Sequence, residues 1–129
     1  MDHAPLLVAC LCAEWCLTCK AYRDTLAGVA AAHPEVAFAW VDIEDHADAL
    51  ESDGHEAPDI VNFPTLLVLR GSEPLFFGTV LPHANVVERM LEPTKLAALP
   101  VVRDAATVAL GLAVQALRQA QPEAVAVTG

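Results

Sequence analysis

The sequence predicts an α/β domain built on a four-stranded mixed sheet with helices on its faces, and three observations predict it. Two continuous apolar runs of strand length, 6–12 (LLVACLC) and 36–41 (VAFAWV), alternate with helical patterns, as do parallel strands buried on both faces. Two further β-type runs, Leu66 to Arg70 and Leu75 to Val80, are split by the turn signal Gly71-Ser72-Glu73-Pro74 and read as an antiparallel hairpin. At 129 residues the chain is one domain's worth and can bury a sizeable core without cross-links. The layout to Leu91 is βαβα then ββα, so the sheet is parallel in its first pair and antiparallel in its last.

Each element has its own warrant. In the strand ending at Cys12, alternation puts Cys10 and Cys12 on one face and Leu11 on the other. Ala13, Glu14 and Trp15 form a turn, and a helix is expected from Cys16 to about His33, where Pro34 stops it. Cys19, Tyr22, Leu26, Val29 and Ala30 fall at helical spacing for its buried face, with Lys20, Arg23 and Asp24 outward. After the strand ending at Val41 comes an acidic stretch, Asp42 to Asp48, in which Asp45 is expected to cap a short helix to about Ser52; Gly54 to Asp59 reads as loop. Pro64 at the mouth of the next strand is either an edge device or a cis peptide. Pro82 and HANVVERML give a helix start and an amphipathic helix with Val86, Val87, Met90 and Leu91 inward. Pro93 to Pro100 reads as a linker, and Asp104 as the N-cap of a last helix running to about Ala120.

Composition bounds the function. A net charge of −10 with seven Lys plus Arg argues against nucleic acid or anionic lipid as partner, since both need a basic face. Although 55% of residues are hydrophobic, no window approaches the roughly 18 consecutive apolar residues of a membrane span. The start, Met-Asp-His-Ala-Pro, lacks the positive region of a secretory signal, so a cytoplasmic location is expected, with a periplasmic one if translation starts upstream. The histidines, His3, His33, His46, His55 and His83, do not cluster at ligand spacing, and no metal is expected from them.

All four cysteines, Cys10, Cys12, Cys16 and Cys19, fall in one short stretch. A disulfide framework would scatter them, and a zinc ribbon needs a second CxxC pair downstream. A local thiolate site for a metal or an iron–sulfur cluster is disfavoured, because Cys10 and Cys12 are strand positions rather than loop positions. Cys16 and Cys19 can close a small disulfide ring or open as a dithiol, which is a redox device. A leading cysteine at a helix N-terminus has its thiolate stabilised by unpaired backbone N–H groups and by the helix dipole. Cys16 is then the nucleophile and Cys19, nearly one turn on, the thiol that resolves a mixed disulfide.

The segment Ala13-Glu14-Trp15-Cys16-Leu17-Thr18-Cys19-Lys20, together with Phe63-Pro64-Thr65, the strand ending Val41-Asp42-Ile43-Glu44, and Gly78, resembles the thioredoxin superfamily over residues 5 to 92. The Leu-Thr pair inside the ring is similar to that in the thioredoxin-like domains of thiol:disulfide interchange proteins. The resemblance implies a thioredoxin-like fold with Cys16 and Cys19 as catalytic thiols and Pro64 in cis beside them. It also implies that Trp15, Phe63 and Pro64 line the substrate groove, and that no bound cofactor is needed. Expected partners are proteins carrying disulfides and an external reductase or dithiol donor.

Three departures from the family follow. Cys10 stands where thioredoxins carry a buried acid that helps deprotonate the resolving thiol, and Cys12 where they usually carry an aromatic. Both read as small buried hydrophobes, with a third redox-active thiol as the alternative, most directly at Cys12. Leu17-Thr18 replaces Gly-Pro inside the ring, a position that tunes reduction potential. The family's first strand and helix are missing, which leaves the 36–41 strand with a bare edge.

The organisation expected is thus a thioredoxin-like domain, 1–92, followed at 93–129 by linker and helix (about 104–120), packed on the same domain or on a dimer partner through that helix or the 36–41 edge. The small-or-polar stripe Thr107, Gly111 and Gln115 marks one face of the added helix. Glu123 to Thr128 has β-type alternation that could pair with the bare edge, although a terminus is more often disordered. The expected function is thiol–disulfide exchange. Two alternatives are a thioredoxin-like interaction module without turnover and the thiolate metal site.

Overall fold

A computed structural model of the chain describes residues 5–13, 15–50 and 63–127. The elements are β1 (Leu6–Cys12), α1 (Leu17–Ala32), β2 (Ala37–Asp42), β3 (Thr65–Arg70), β4 (Glu73–Thr79), α2 (Ala84–Met90), α3 (Pro93–Ala98) and α4 (Ala105–Ala120). The four strands form one sheet in the order β2-β1-β3-β4, with β1 parallel to β2 and antiparallel to β3, and β3 antiparallel to β4.

β1 is central and buried along its whole length, because every residue from Leu6 to Cys12 is apolar and the sheet is covered on both sides. Its period-2 alternation divides the core. Leu6, Val8, Cys10 and Cys12 face α1 and α2, joining Cys19, Tyr22, Leu26 and Val29 of α1 and Val87 and Leu91 at α2. Leu7, Ala9 and Leu11 face the other way, toward Leu110, Val114 and Leu117 of α4. A β-bulge between Val68 and Leu69 shifts the β3–β4 register, and Gly71, at φ 62°, takes the left-handed turn between the two strands that a side chain would resist.

The small-or-polar stripe of α4 is what seats it. Thr107 and Gly111 are buried, a Cβ on Gly111 would lie 3.0 Å from Leu69 Cδ2, and Gln115 Nε2 donates to the Gly71 carbonyl at 2.8 Å. A side chain at 111 would press on that Leu69 methyl, which would have to give by a few tenths of an ångström. Asp104 caps the helix, accepting from the Thr107 amide and hydroxyl, each at 3.1 Å. The tail then returns to the sheet edge: the Trp40 amide donates to the Val125 carbonyl at 2.8 Å, and Ala39 and Ala126 form an antiparallel bridge. The apolar stripe of α4 and the edge of β2, the two surfaces open to either the same domain or a second copy, are thus engaged within the chain.

Two local expectations are corrected. The linker at 93–100 contains α3, because Pro93 sits in its first turn, where its fixed φ is already helical and its missing N–H has no partner to lose. The carboxylate that organises the acidic stretch is Asp42, not Asp45: Asp42 Oδ1 accepts from the Glu44 and Asp45 amides at 2.8 and 3.0 Å, and residues 43–50 form turns instead of a helix. The rest of that expected helix, the loop Gly54 to Asp59, and Glu14, His3 and His55 lie outside the described residues.

Candidate redox site

The site is assembled at the C-terminal end of β1. The Cys16 amide donates to the Ala13 carbonyl at 3.0 Å and closes the turn, so that Cys16 becomes the N-cap of α1 with extended backbone (φ −84°, ψ 116°). The first-turn amides of a helix have no partner within it, and they surround the position that the Cys16 side chain leaves uncapped. Cys16 is partly exposed and packs against the α1-side core; Cys19, one turn on, is buried in that core.

The β1–β3 register brings in the second wall. Leu11 is paired with Thr65, so Phe63 and Pro64 stand just beyond, level with the end of β1. The Phe63–Pro64 peptide bond is cis, and the Val80 amide holds the Pro64 carbonyl at 3.0 Å. Trp15, 64% exposed, meets Phe63 edge to face with ring centroids 5.5 Å apart. Trp15, Cys16, Phe63 and Pro64 thus gather at one end of the sheet, with Leu17 also open to solvent.

The sulfur pairing differs from the expected one. Cys19 is joined by a disulfide to Cys12, not to Cys16, and Cys16 and Cys10 are free thiols. The reason is tertiary. Alternation turns the Cys12 side chain toward α1, and the seating of α1 on β1 brings Cys19 to a Cα–Cα distance of 5.9 Å from it, inside the usual range of about 4.4–6.8 Å for bonded cysteines. Cys12, read first as a small hydrophobe, is therefore a bonded sulfur.

Cys10 lies behind this bond, fully buried, with its sulfur 3.4 Å from that of Cys12. A disulfide sulfur carries no hydrogen, so Cys10 is the donor. Burial pushes the Cys10 thiol well above its ordinary range. Tyr22, packed in the same layer, is likewise pushed up, first by burial and then by facing Cys10, and its hydroxyl has no hydrogen-bond partner among the described residues. Sequence reasoning placed Tyr22 on the buried face of α1 but gave no role to its hydroxyl; the signal was its position three residues after Cys19, on the face that Cys10 also shares.

On the far side of Cys19 a cavity of about 310 Å³ opens, walled by Cys19, Lys20, Arg23, Asp42, Asp45 and His46. Arg23 stacks over Trp40, its guanidinium carbon 5.6 Å from the ring centroid. Trp40, half-buried on β2, thus forms one wall of this opening, a contact that spacing within one element could not reveal.

The architecture is that of thioredoxins. A thioredoxin from Fasciola hepatica superposes with a TM-score of 0.51 at 19% identity, covering 69% of this chain and 80% of its own. The germline-specific thioredoxin Deadhead of Drosophila melanogaster gives 0.52 at 18% identity, covering 68% and 79%. No family model matches the sequence, and no curated protein matches it. The chain therefore has a thioredoxin-like fold, a four-stranded mixed sheet with flanking helices, to which α4 is an addition.

Proposed function

We propose that this chain is a thiol–disulfide oxidoreductase acting on protein disulfides. The observation that carries the reading is the pairing of a partly exposed free thiol, Cys16, at the N-cap of α1 with a neighbour, Cys19, that already takes part in a disulfide. Cys16 as thiolate attacks a substrate disulfide and forms a mixed disulfide; Cys19, once reduced, attacks Cys16 and releases the substrate thiol.

Trp15, Phe63 and Pro64 receive the extended substrate chain, the exposed ring of Trp15 covering its apolar side chains. Neither a metal nor an organic cofactor is required, and electrons come from an external reductase or dithiol. A reducing cytoplasm suits this cycle, because disulfides there are transient and catalytic rather than permanent.

The exposed Trp15 and Leu17 also suit a second reading, a module that binds protein without turnover. Insulin reduction with dithiothreitol as donor separates the two. The wild-type chain is expected to exceed Cys16→Ser by at least about a hundredfold, given that the thiolate is the reacting species. Equal rates refute the catalytic reading and leave the module.

A further inference from the structure

Cys19 has two possible bonding partners and can hold only one at a time. Cys16 precedes it by three residues on the same helix turn, and Cys12 reaches it from β1. We propose that Cys12 is a third redox thiol, which takes the disulfide from the Cys16–Cys19 pair and returns Cys16 to the free state. This relay rests on the oxidoreductase reading.

The steps balance as follows. Cys16 thiolate attacks a substrate disulfide RS–SR′; the Cys16–SR bond forms and R′S⁻ leaves. Cys19 thiolate attacks the Cys16 sulfur, forming Cys16–Cys19 and expelling RS⁻. Cys12 thiolate then attacks the Cys19 sulfur, forming Cys12–Cys19, and Cys16 leaves as thiolate. Two electrons have passed from Cys12 and Cys19 to the substrate, the two protons of those thiols end on RSH and R′SH, and Cys16 is unchanged. An external dithiol reduces Cys12–Cys19 to close the cycle.

The observed state, with Cys12–Cys19 bonded and Cys16 free, is the end of that sequence. It has a consequence for turnover. While Cys19 is held by Cys12, a mixed disulfide on Cys16 has no resolving thiol, so the chain completes one exchange and then waits for reductant. Cys10 stays outside the relay. It lies one pleat deeper than Cys12 and fully buried, and it keeps its proton, which it donates to the Cys12 sulfur 3.4 Å away.

Cleavage after Glu14 makes the relay readable, because it parts Cys10 and Cys12 from Cys16 and Cys19. The fully reduced, full-length chain is mixed with one equivalent of glutathione disulfide, quenched with acid and alkylated at successive times, cleaved with a glutamyl endopeptidase and weighed by mass spectrometry. Early samples are expected to show the two peptides separate with Cys16 protected; late samples, the peptides cross-linked through Cys12–Cys19 with Cys16 alkylated. Cys10→Ala should give the same cross-link, and Cys16→Ser should form it at least about tenfold more slowly, since oxidant must then reach buried thiols directly. Three results overturn the relay: a wild-type end state of Cys16–Cys19 with no cross-link, equal cross-linking rates in Cys16→Ser, or a cross-link that survives millimolar dithiothreitol in the folded chain. Insulin turnover separates the two kinds of failure. A wild-type chain that reduces insulin yet ends as Cys16–Cys19 removes the relay alone, whereas turnover indifferent to Cys16→Ser removes the reading beneath it.

Discussion

Raising the pH should unfold this chain earlier than its carboxylates and lysines would suggest, because two acids are buried in their neutral forms beside the disulfide. Cys10 ordinarily titrates near 9.0 and Tyr22 near 10.0, and both are pushed well above those values in the fold, chiefly by burial. The folded chain therefore keeps protons that the unfolded chain releases, and stability falls as pH rises. The loss begins near the unfolded thiol's value and continues toward the raised folded values. One such group costs about 1.4 kcal/mol per pH unit and two cost about twice that, so moving from pH 8 to pH 10.5 removes roughly 3 kcal/mol. Against a typical total of about 5–15 kcal/mol this is a large share, and it should lower the urea midpoint by roughly 1–2 M.

The assay is urea unfolding followed by circular dichroism at half-unit steps of pH, with the Cys12–Cys19 disulfide intact. In Cys10→Ala the fall between pH 9 and pH 10 should flatten, while the fall above pH 10 persists through Tyr22. Tyr22→Phe should remove the upper part and, by deleting a buried hydroxyl without a partner among the described residues, add about 1 kcal/mol at neutral pH. Slopes rather than absolute stabilities carry the comparison, since each substitution also alters packing. A midpoint that stays flat from pH 8 to pH 10.5, or the full fall surviving in the Cys10→Ala/Tyr22→Phe double variant, would refute the reasoning.

Asp104→Ala removes both hydrogen bonds to Thr107 and should cost about 1 kcal/mol in urea unfolding, with Asp104→Asn recovering most of it. Truncation after Pro122 frees the Trp40 amide and the edge of β2; size-exclusion chromatography over a concentration series should then show more self-association than the full chain gives at the same concentrations, as exposed apolar edges pair with one another. Trp15→Ala removes an exposed ring and one edge-to-face contact, so it should leave the urea midpoint nearly unchanged while the second-order rate with insulin falls about fivefold to tenfold, the equivalent of roughly 1 kcal/mol of aromatic contact. A drop in stability that matched the drop in rate would assign Trp15 to packing alone.

Much of the fold was legible because it rests on local patterns. β1 was readable because all seven of its residues are apolar, a sign of burial on both faces, and α1 because its buried residues recur at helical spacing up to the proline that stops it. The thiol at the helix start and the aromatic-proline segment opposite it were readable as motifs. The acidic stretch after β2 was misread, because a capping carboxylate can serve amides two and three residues onward from a strand end as well as from a helix start. Helix α3 was missed because prolines at both ends of a short segment look like a linker when only one of them actually blocks a helix.

The sequence by itself determined which residues alternate, which repeat at helical spacing, and that four sulfurs share one short stretch; these are properties of neighbours along the chain, set by backbone geometry. Only the tertiary structure decided that Cys19 bonds Cys12, that the Thr107, Gly111 and Gln115 stripe seats α4 on its own hairpin, and that the tail pairs with the edge of β2. Spacing says which cysteines are close in number. Which of them can bond depends on how a strand's face and a helix's face are docked, and that is fixed by packing between segments.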